Sequence, residues 1–457
     1  MYRLRSCQPV GILGAGKTAR RLARSLTNEG LAVWVYEEHP KNVHRRALEY
    51  LAKLGVKMFG PSSEEKFLEG LSVLVPSPGF SFAHTVFVLA LKRGIPWVGE
   101  LDLISLLAGT PPKLLAVSGT NGKTSVCSWV QNLLSQLGQR VFRAGNEGPP
   151  FGRFLGRAGS FQVGVLETSS FQLAQSKVFR PSVVLLTEIR PDHLSWHGSF
   201  EAYQAAKLSV LERLGAKDTA IVLNPDPVTE KALQGGRSKV WSVGKRMSFA
   251  YGGLVWDKEW FYVEAPGLSL RIPLPNSEDA AFIPPENLLL AGLAAFELSG
   301  DKTAFSMLEG LRPLTYRISF ERTLKGASIF NDSKATNVAS VELALKLLPP
   351  PIVWIGGGLS KGLDLGPLEG LVREKVRLAL FFGHARDAFA DAVGDLVPSE
   401  RFKTLEMLML RLADVVMPED RVLFSPGCAS FDAFKSFRHR GFTFSKLLAS
   451  LSPTEVI

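Results

Sequence analysis

A chain of 457 residues is too long for one hydrophobic core, and its length suggests about three domains. Its composition, 46% hydrophobic and 21% charged, is that of a globular protein and excludes a disordered chain. Lys and Arg outnumber Asp and Glu by 53 to 43, which favours anionic partners. The basic residues are scattered, and no zinc spacing or RNA-binding motif accompanies them, so the sequence argues against a nucleic-acid reader.

The cysteine pattern and the apolar segments indicate the compartment. Cys7, Cys127 and Cys428 lie too far apart to form a disulfide framework or a metal knuckle. No apolar stretch approaches the length of a membrane span, and the N-terminus lacks a signal-peptide core. We therefore expect a cytoplasmic protein in a reducing environment.

Short apolar strands alternate with amphipathic helices over residues 10–98. The predicted elements are a glycine-rich turn, a helix over Ala19–Leu26, a strand over Leu31–Tyr36, a helix from Phe67 onward and a strand over Val73–Pro76. This βαβ alternation predicts a Rossmann-like first domain over residues 1–100.

The first glycine turn matches two different patterns. Residues Gly11 to Thr18 fit the text of a long phosphate-binding loop, and Gly14 to Ala19 also fit a dinucleotide-binding turn. Glu37 and Glu38 follow about 20 residues later, where an acidic group can accept a ribose hydroxyl. On the pattern alone, both interpretations stay open.

A second glycine loop opens another α/β alternation. The apolar strand Leu114–Ser118 leads into Gly119-Thr120-Asn121-Gly122-Lys123-Thr124, and a helix begins near Ser125. Backbone amides in such a loop cradle phosphates, its Lys reaches the terminal phosphates, and its Thr hydroxyl can bind Mg²⁺. The loop is shorter than the usual one, and the alternative is a tight turn that happens to carry a lysine.

Two later strand ends supply candidate metal ligands. Glu167 ends the strand that begins at Val163, and His193 follows the strand Val183–Thr187. The carboxyl ends of parallel strands meet at one edge of a sheet, where α/β proteins bind their ligands, so both side chains are candidates for a hard cation or a phosphate. A lone histidine at such a position can also be purely structural.

Lys207 occupies an apolar stripe. The predicted helix places Phe200, Tyr203, Lys207, Val210 and Leu211 on one face. The alternative to a buried amine is a side chain that buries its stem and extends its amine to water, and periodicity does not decide between them.

A third α/β domain is predicted after the helix Asn287–Leu298. The register changes over Leu311–Arg322, and strands recur at Pro351–Ile355, Leu378–Phe382 and Arg421–Phe424. We therefore expect a central domain over residues 101–312 and a C-terminal domain over residues 313–457.

Together these motifs resemble the Mur ligase superfamily over essentially the whole chain. The strings that carry the resemblance are Ser77-Pro-Gly79, G-T-N-G-K-T, Gly145-Asn146, Glu167-Thr-Ser-Ser-Phe-Gln-Leu, Asp192-His-Leu, His197-Gly-Ser-Phe-Glu-Ala-Tyr-Gln-Ala-Ala-Lys207, Asn331-Asp-Ser-Lys-Ala-Thr-Asn337 and Ser425-Pro-Gly-Cys-Ala-Ser-Phe-Asp. The nearest branch is the one that adds D-glutamate to UDP-N-acetylmuramoyl-L-alanine.

The resemblance implies a three-domain α/β ligase with a Rossmann-like N-terminal domain, a P-loop ATPase-like central domain and a Rossmann-like C-terminal domain. It implies that ATP activates a carboxylate as an acyl phosphate, with about two Mg²⁺ ions, in peptidoglycan precursor synthesis. It also implies a monomeric cytoplasmic enzyme. The first glycine turn would then bind UDP and the second loop ATP.

The resemblance also implies roles for individual residues. The implied catalytic residues are Lys123, Glu167, His193, Lys207 and Lys334. The implied metal ligands are Thr124, Glu167, His193 and a carbamylated Lys207. The implied ATP contacts are Gly119, Thr120, Asn121, Gly122, Lys123, Thr124, Ser125, Asn287, Arg317 and Asp332. The implied UDP-substrate contacts are Gly14, Lys17, Thr18, Glu37, Glu38, Ser77, Gly79 and Asn146. The implied D-glutamate contacts are Thr336, Lys361, Ser425 and Phe437.

At three positions the chain departs from the usual family pattern: Tyr316 and Glu286 stand where histidines are usual, and Glu147 replaces an apolar residue. The alternatives to this branch are a folylpolyglutamate synthase, an oxidoreductase that uses the first turn, and an ATP-driven switch or transport ATPase.

Overall fold

The computed structural model describes residues 9–108, 113–154, 158–275, 282–360 and 364–451. The chain forms two compact units, one of Met1–Leu274 with Pro285–Leu308 and one of Pro275–Pro284 with Glu309–Ile457. Each contains parallel sheet covered by helices, and the described residues form three sheets. The predicted α/β class is confirmed.

The first sheet lies in the N-terminal part of the first unit. Its strands are β1 (Val10–Leu13), β2 (Val33–Tyr36), β3 (Lys57–Phe59) and β4 (Val73–Pro76). Its helices are α1 (Lys17–Asn28), α2 (Arg45–Lys53), α3 (Glu64–Leu68), α4 (Thr85–Lys92) and α5 (Glu100–Ala108). All four strands are parallel, in the order β3-β2-β1-β4. β1 and β4 are fully buried, because parallel sheets of this kind carry helices on both faces.

The second sheet completes the first unit. Its strands are β5 (Lys113–Ser118), β6 (Val141–Gly145), β7 (Val163–Glu167), β8 (Val183–Leu186), β9 (Thr219–Leu223), β10 (Lys239–Val243), β11 (Gly252–Trp256), β12 (Trp260–Ala265) and β13 (Leu268–Pro273). Its helices are α6 (Lys123–Gln136), α7 (Ser170–Ala174), α8 (Leu194–His197), α9 (Phe200–Leu208), α10 (Pro227–Gln234), α11 (Pro285–Ser299) and α12 (Thr303–Ser306).

The strand order of this sheet is β13-β12-β11-β10-β9-β8-β5-β7-β6. Only β12 pairs antiparallel with its two neighbours. β5 lies between β7 and β8 and pairs parallel with both, so the carboxyl ends of all three strands share one edge. The loops that follow these strands are therefore neighbours in space.

The second unit contains the third sheet. Its strands are β14 (Ser319–Leu324), β15 (Ala327–Asn331), β16 (Ile352–Gly357), β17 (Val376–Phe382), β18 (Ser399–Phe402) and β19 (Arg421–Gly427). Its helices are α13 (Val338–Leu347), α14 (Glu369–Lys375), α15 (Arg386–Val393), α16 (Leu405–Val415) and α17 (Phe437–Ser450). The order is β14-β15-β19-β16-β17-β18, and only β14 runs antiparallel to its neighbour.

Some predicted boundaries are wrong. The helix expected from Phe67 onward ends at Leu68, because the chain turns through Gly70, whose φ of +75° a helix cannot accommodate. The strand expected from Leu31 begins at Val33. The antiparallel strands β11 to β13 were not predicted at all.

Within the part of the chain that the structure describes, none of the helices combines the length and apolar character that a membrane crossing requires.

Candidate active site

The second glycine loop joins β5 to α6, at the edge where β7 and β8 also end. Gly119 has a φ of +131°, and a Cβ there would overlap the hydroxyl of Thr187, which follows β8. Gly122 has a φ of +82°, and a Cβ there would lie 2.6 Å from Oδ1 of Asn287 on α11. Glycine is therefore required at both positions, by the backbone conformation and by close packing.

Hydrogen bonds fix the loop to the neighbouring strand end. The Thr187 hydroxyl donates to the carbonyl oxygen of Asn121 at 2.6 Å. The Thr120 hydroxyl donates to the carbonyl oxygen of Arg190 at 2.9 Å and lies 2.9 Å from the hydroxyl of Tyr203. The loop is therefore preorganised by contacts that are distant in sequence.

Lys123 and Lys207 meet at this loop. The Lys123 Nζ donates to the carbonyl oxygens of Gly119 and Thr120 at 2.8 and 2.6 Å. The Lys207 Nζ donates to the same Gly119 oxygen at 2.7 Å. Two amines thus converge on one carbonyl oxygen.

Lys207 is buried, as its position on the apolar stripe allowed. Only 2% of the residue is exposed, so its amine does not extend to water. Burial lowers the pKa of the Lys207 amine well below its usual value, and the charge on Lys123 lowers it further. Burial at this position therefore favours the neutral amine over the ammonium.

Glu167 ends β7 beside the loop and is 3% exposed. Its Oε1 accepts a hydrogen bond from the Asn146 side chain at 3.2 Å. Its Oε2 is buried and has no hydrogen-bond partner among the described residues. A buried carboxylate oxygen without a partner is costly, and a bound cation would offset that cost.

The two histidines lie at the next strand end. His193 precedes α8 with a φ of +54°, and its ring centre lies 4.9 Å from that of Phe171. His197 Nε2 lies 3.0 Å from the hydroxyl oxygen of Ser170. Burial lowers the pKa of His197, and nearby His193 and Lys207 lower it further. A neutral imidazole is favoured at this site.

No group of three or more His, Cys, Asp or Glu side chains in the described ranges is placed to hold a metal ion. The metal ligands that the family resemblance implies include a threonine and a modified lysine, and neither belongs to these four residue types. The unpartnered oxygen of Glu167 is the feature that fits a cation here.

A glutamate side chain accepts a hydrogen bond from the backbone of the first glycine turn. Glu37 Oε2 accepts a hydrogen bond from the amide of Ala15 at 2.7 Å, and Glu38 Oε2 lies 2.9 Å from Nε2 of His84. Gly14 has a φ of +91°, and a Cβ there would lie 3.2 Å from the hydroxyl oxygen of Ser77. The predicted UDP contacts at the ends of β1, β2 and β4 are therefore neighbours.

For three other predicted UDP contacts, the structure shows the position along the chain. Thr18 lies in the first turn of α1, and the side chain of Lys17 lies outside the described part of the chain. Gly79 has open space around it.

The second unit holds another group of predicted residues. The Ser425 hydroxyl donates to Oδ2 of Asp332 at 2.8 Å, and both residues are buried. Burial raises the pKa of the Asp332 carboxyl to about 7. Lys334 Nζ lies 4.3 Å from the centre of the Phe437 ring, a cation–π contact.

The other predicted D-glutamate contacts do not share one degree of exposure. Thr336 is exposed, Ser425 is fully buried, and Lys361 lies outside the described residues.

Comparison with known proteins identifies the family. Residues 117–258 match the model of the Mur ligase middle domain. The chain is 32% identical over 443 residues to the UDP-N-acetylmuramoylalanine--D-glutamate ligase of Syntrophus aciditrophicus, covering 95% of this chain and 96% of that protein. The chain belongs to this ligase family.

Solved Mur ligases share the fold. The UDP-N-acetylmuramate-alanine ligase MurC of Thermotoga maritima aligns with a TM-score of 0.58 at 17% identity, over 97% of this chain and 99% of that one. The MurF ligase of Thermotoga maritima, solved with ADP, aligns with a TM-score of 0.57 at 16% identity, over 92% and 96%. These likenesses support the three-domain Mur ligase architecture.

One departure from the usual Mur ligase pattern is explained by packing. Tyr316 has a φ of +65°, and a Cβ on Gly441 would lie 2.5 Å from its ring, so the larger side chain is accommodated by that glycine. Glu286 lies in the first turn of α11, and burial raises the pKa of its carboxyl. Nothing in the structure explains Glu147.

Sequence reasoning missed several residues that this ligase uses to build the site. Arg440 is fully buried and donates to the carbonyl oxygens of Ser333 and Cys428 at 2.8 and 2.9 Å, which joins the loops after β15 and β19. A lone arginine in an apolar stripe of α17 was the available signal. Thr187 gave no signal, because its role depends on strand order.

Proposed function

We propose that this Mur ligase joins D-glutamate to the free carboxylate of UDP-N-acetylmuramoyl-L-alanine and converts ATP to ADP and phosphate. The observation that carries the proposal is the convergence of Lys123, Lys207 and the unpartnered Glu167 oxygen around one phosphate-binding loop. A site of this composition suits charge neutralisation during phosphoryl transfer.

The reaction requires activation because a carboxylate has no good leaving group. A carboxylate oxygen of the UDP substrate attacks the γ-phosphorus of ATP, ADP departs, and an acyl phosphate forms. The amine of D-glutamate then attacks the acyl carbon, and the tetrahedral intermediate expels phosphate while the nitrogen loses a proton. Positioning of the reactants supplies much of the acceleration.

The predicted site residues of the first unit have separate roles in this proposed reaction. Loop amides from Gly119 to Thr124 bind the ATP phosphates, and the Lys123 ammonium neutralises charge on the transferring phosphoryl group. To reach it, Lys123 exchanges its present carbonyl partners for phosphate oxygens. Asn146 holds Glu167 through the 3.2 Å hydrogen bond and orients its free oxygen toward the site.

We propose that Mg²⁺ is held by Thr124, Glu167, His193 and a carbamate on Lys207. The cation supplies charge stabilisation of the phosphoryl oxygens when bound. The neutral Lys207 amine attacks CO₂ and releases one proton, which converts a buried amine into a buried anion with two oxygen donors. The carbamate removes the repulsion between the two amines at Gly119 and replaces it with attraction to Lys123.

The second unit is proposed to bind D-glutamate and part of the nucleotide. Arg317, Asp332 and, in the first unit, Asn287 are the proposed nucleotide contacts; Lys334, Thr336, Lys361, Ser425 and Phe437 are the proposed residues near the amine donor. Lys361 would pair with a carboxylate of the amino acid, which selects for an acidic side chain. Domain boundaries at residues 100 and 312, a monomeric state and a cytoplasmic location stay predictions.

The testing experiment measures ADP release and amide product with D-glutamate, L-glutamate or L-lysine, with and without UDP-N-acetylmuramoyl-L-alanine. We expect turnover only when the UDP substrate and D-glutamate are both present. Efficient use of L-glutamate or L-lysine would move the chain to another branch. Turnover without an amine would indicate an ATPase, use of a folate would indicate a folylpolyglutamate synthase, and NAD reduction would indicate an oxidoreductase.

A further inference from the structure

The short helix α7 links two parts of the proposed substrate site. It begins three residues after Glu167, and a capping box between Ser169 and Gln172 fixes its first turn. Its C-cap residue is Gln175, which is 1% exposed. One end of the helix thus lies at the proposed metal ligand, and the other end carries a buried amide.

The amide of Gln175 holds the turn that follows β4. Its Nε2 donates to the carbonyl oxygens of Ser77 and Pro78 at 3.1 and 3.4 Å. On the backbone side, a Cβ on Gly99 would overlap the carbonyl oxygen of Gln175, so only glycine allows this close approach. Gln175 is therefore fixed by its backbone while its side chain holds the turn.

That turn faces the first glycine loop. The hydroxyl oxygen of Ser77 lies 3.2 Å from the position a Cβ would take on Gly14. This hydroxyl has no hydrogen-bond partner among the described residues. The Gln175 side chain thus sets the orientation of an unused donor beside the proposed diphosphate loop.

Helix α7 is held on its other side by the first turn of α5. Glu100 Oε2 accepts a hydrogen bond from the Gln172 side chain at 3.1 Å. The Asp102 carboxylate accepts the backbone amides of Lys177 and Phe179 at 2.6 and 2.7 Å. Hydrogen bonds to Gln172 and to the residues that follow Gln175 therefore join α7 to α5.

We propose that Gln175 is a positioning residue that holds the Ser77–Gly79 turn in the conformation that receives the UDP-linked substrate. The proposal rests on the proposed function, because it assigns the turn to the diphosphate end of that substrate and Glu167 to its carboxylate end. Through α7, Gln175 sets the spacing between the two ends.

The experiment uses two substitutions that keep the size of the side chain. Gln175→Met removes the donor, and Gln175→Glu replaces it with a carboxylate that faces two carbonyl oxygens and repels a diphosphate. Gln162→Met is the control. The Gln162 side chain accepts a hydrogen bond from the backbone amide of Arg140, and both residues are distant in sequence from the Ser77–Gly79 turn. Steady-state kinetics and titration calorimetry with UDP-N-acetylmuramoyl-L-alanine give KM and Kd separately.

We expect Gln175→Met to raise KM and Kd for the UDP substrate about tenfold, the loss of one hydrogen bond, and Gln175→Glu to raise them further. The kcat and the KM for ATP should stay within about twofold, and the control should match the wild type. An ATP-induced rise in Tm in each variant shows that the ATP-binding region is folded.

Unchanged KM and Kd for the UDP substrate, or an equal rise in the KM for ATP, would overturn the positioning role. Wild-type protein that forms no amide product from the UDP substrate and D-glutamate would instead refute the proposed function. The two failures are therefore distinguishable.

Discussion

Lys123 and Lys207 donate hydrogen bonds to the same carbonyl oxygen, that of Gly119, at 2.8 and 2.7 Å. Two ammonium groups this close repel each other, and the repulsion is strong where the protein excludes water. Lys207 is the more buried of the two, and burial together with the charge on Lys123 lowers the pKa of its amine. The pair therefore combines a charged lysine for phosphate with a neutral lysine that can react with CO₂.

Lys207→Ala should reduce activity by at least about a thousandfold, because the carbamate and its metal contacts are lost. A short carboxylic acid such as acetate, added to the buffer, should restore part of the activity by occupying the vacated space. Lys217→Ala, at an exposed lysine, is the control. Wild-type protein in ¹³C-bicarbonate should show a carbamate carbon by NMR. Retained activity without the lysine, or no rescue and no labelled carbon, would refute the carbamate.

Lys123→Ala should abolish ADP formation and leave binding of the UDP substrate nearly unchanged. The missing charge is needed on the transferring phosphoryl group and not at the first glycine turn. ADP release and calorimetric titration with the UDP substrate check the two parts, with the exposed Lys231→Ala as the control. ATP turnover comparable to that of the wild type would contradict the assignment.

Gly122→Ala should raise the KM for ATP by about tenfold or more. The new Cβ meets Oδ1 of Asn287 at 2.6 Å, and the φ of +82° is strained for alanine, so the loop must shift. Gly138→Ala is a matched control, because Gly138 has a φ of +75° with open space around it. Equal changes in the two variants would show that backbone strain alone, and not the loop, is responsible.

Thr18→Phe should raise the KM for the UDP substrate far more than the KM for ATP. Thr18 lies in the first turn of α1, directly after the glycine turn proposed to bind the diphosphate. Thr27→Phe, at the opposite end of α1, serves as the control. An equal or larger effect on ATP would assign ATP to the first loop instead.

Glu100→Gln should change the pH dependence of stability. Burial raises the pKa of the Glu100 carboxyl to about 7 in the folded protein, from an ordinary value near 4.5. Between these values the folded state binds more protons than the unfolded state, so the free energy of unfolding of the wild type falls as pH rises.

The glutamine variant lacks this titration. Its stability relative to the wild type should therefore increase by about 3 kcal/mol from pH 4 to pH 8. Urea unfolding at several pH values measures the difference, and the exposed Glu69→Gln variant should show none. A pH-independent difference would show that the Glu100 carboxyl titrates at its ordinary pKa in the folded protein.

The local elements and the chemistry of the loops could be predicted from the sequence. The short apolar run Leu114–Ser118, bounded by a glycine loop, predicted a buried strand, and the Gly-Lys-Thr turn before a helix predicted a loop whose backbone amides can bind phosphate. The helical periodicity likewise placed Lys207 on an apolar stripe, but it did not decide whether the amine is buried. These properties depend on neighbours along the chain.

Tertiary structure alone decided what depends on distant neighbours. Strand order placed β7 and β8 on either side of β5, which brought Glu167 and Thr187 to the loop. Tertiary packing buries the Lys207 amine beside the carbonyl oxygen of Gly119. The helical periodicity was equally compatible with an amine that extends to water. The contact of Gln175 with Ser77 joins residues 98 positions apart, and no local pattern encodes a hydrogen bond between them.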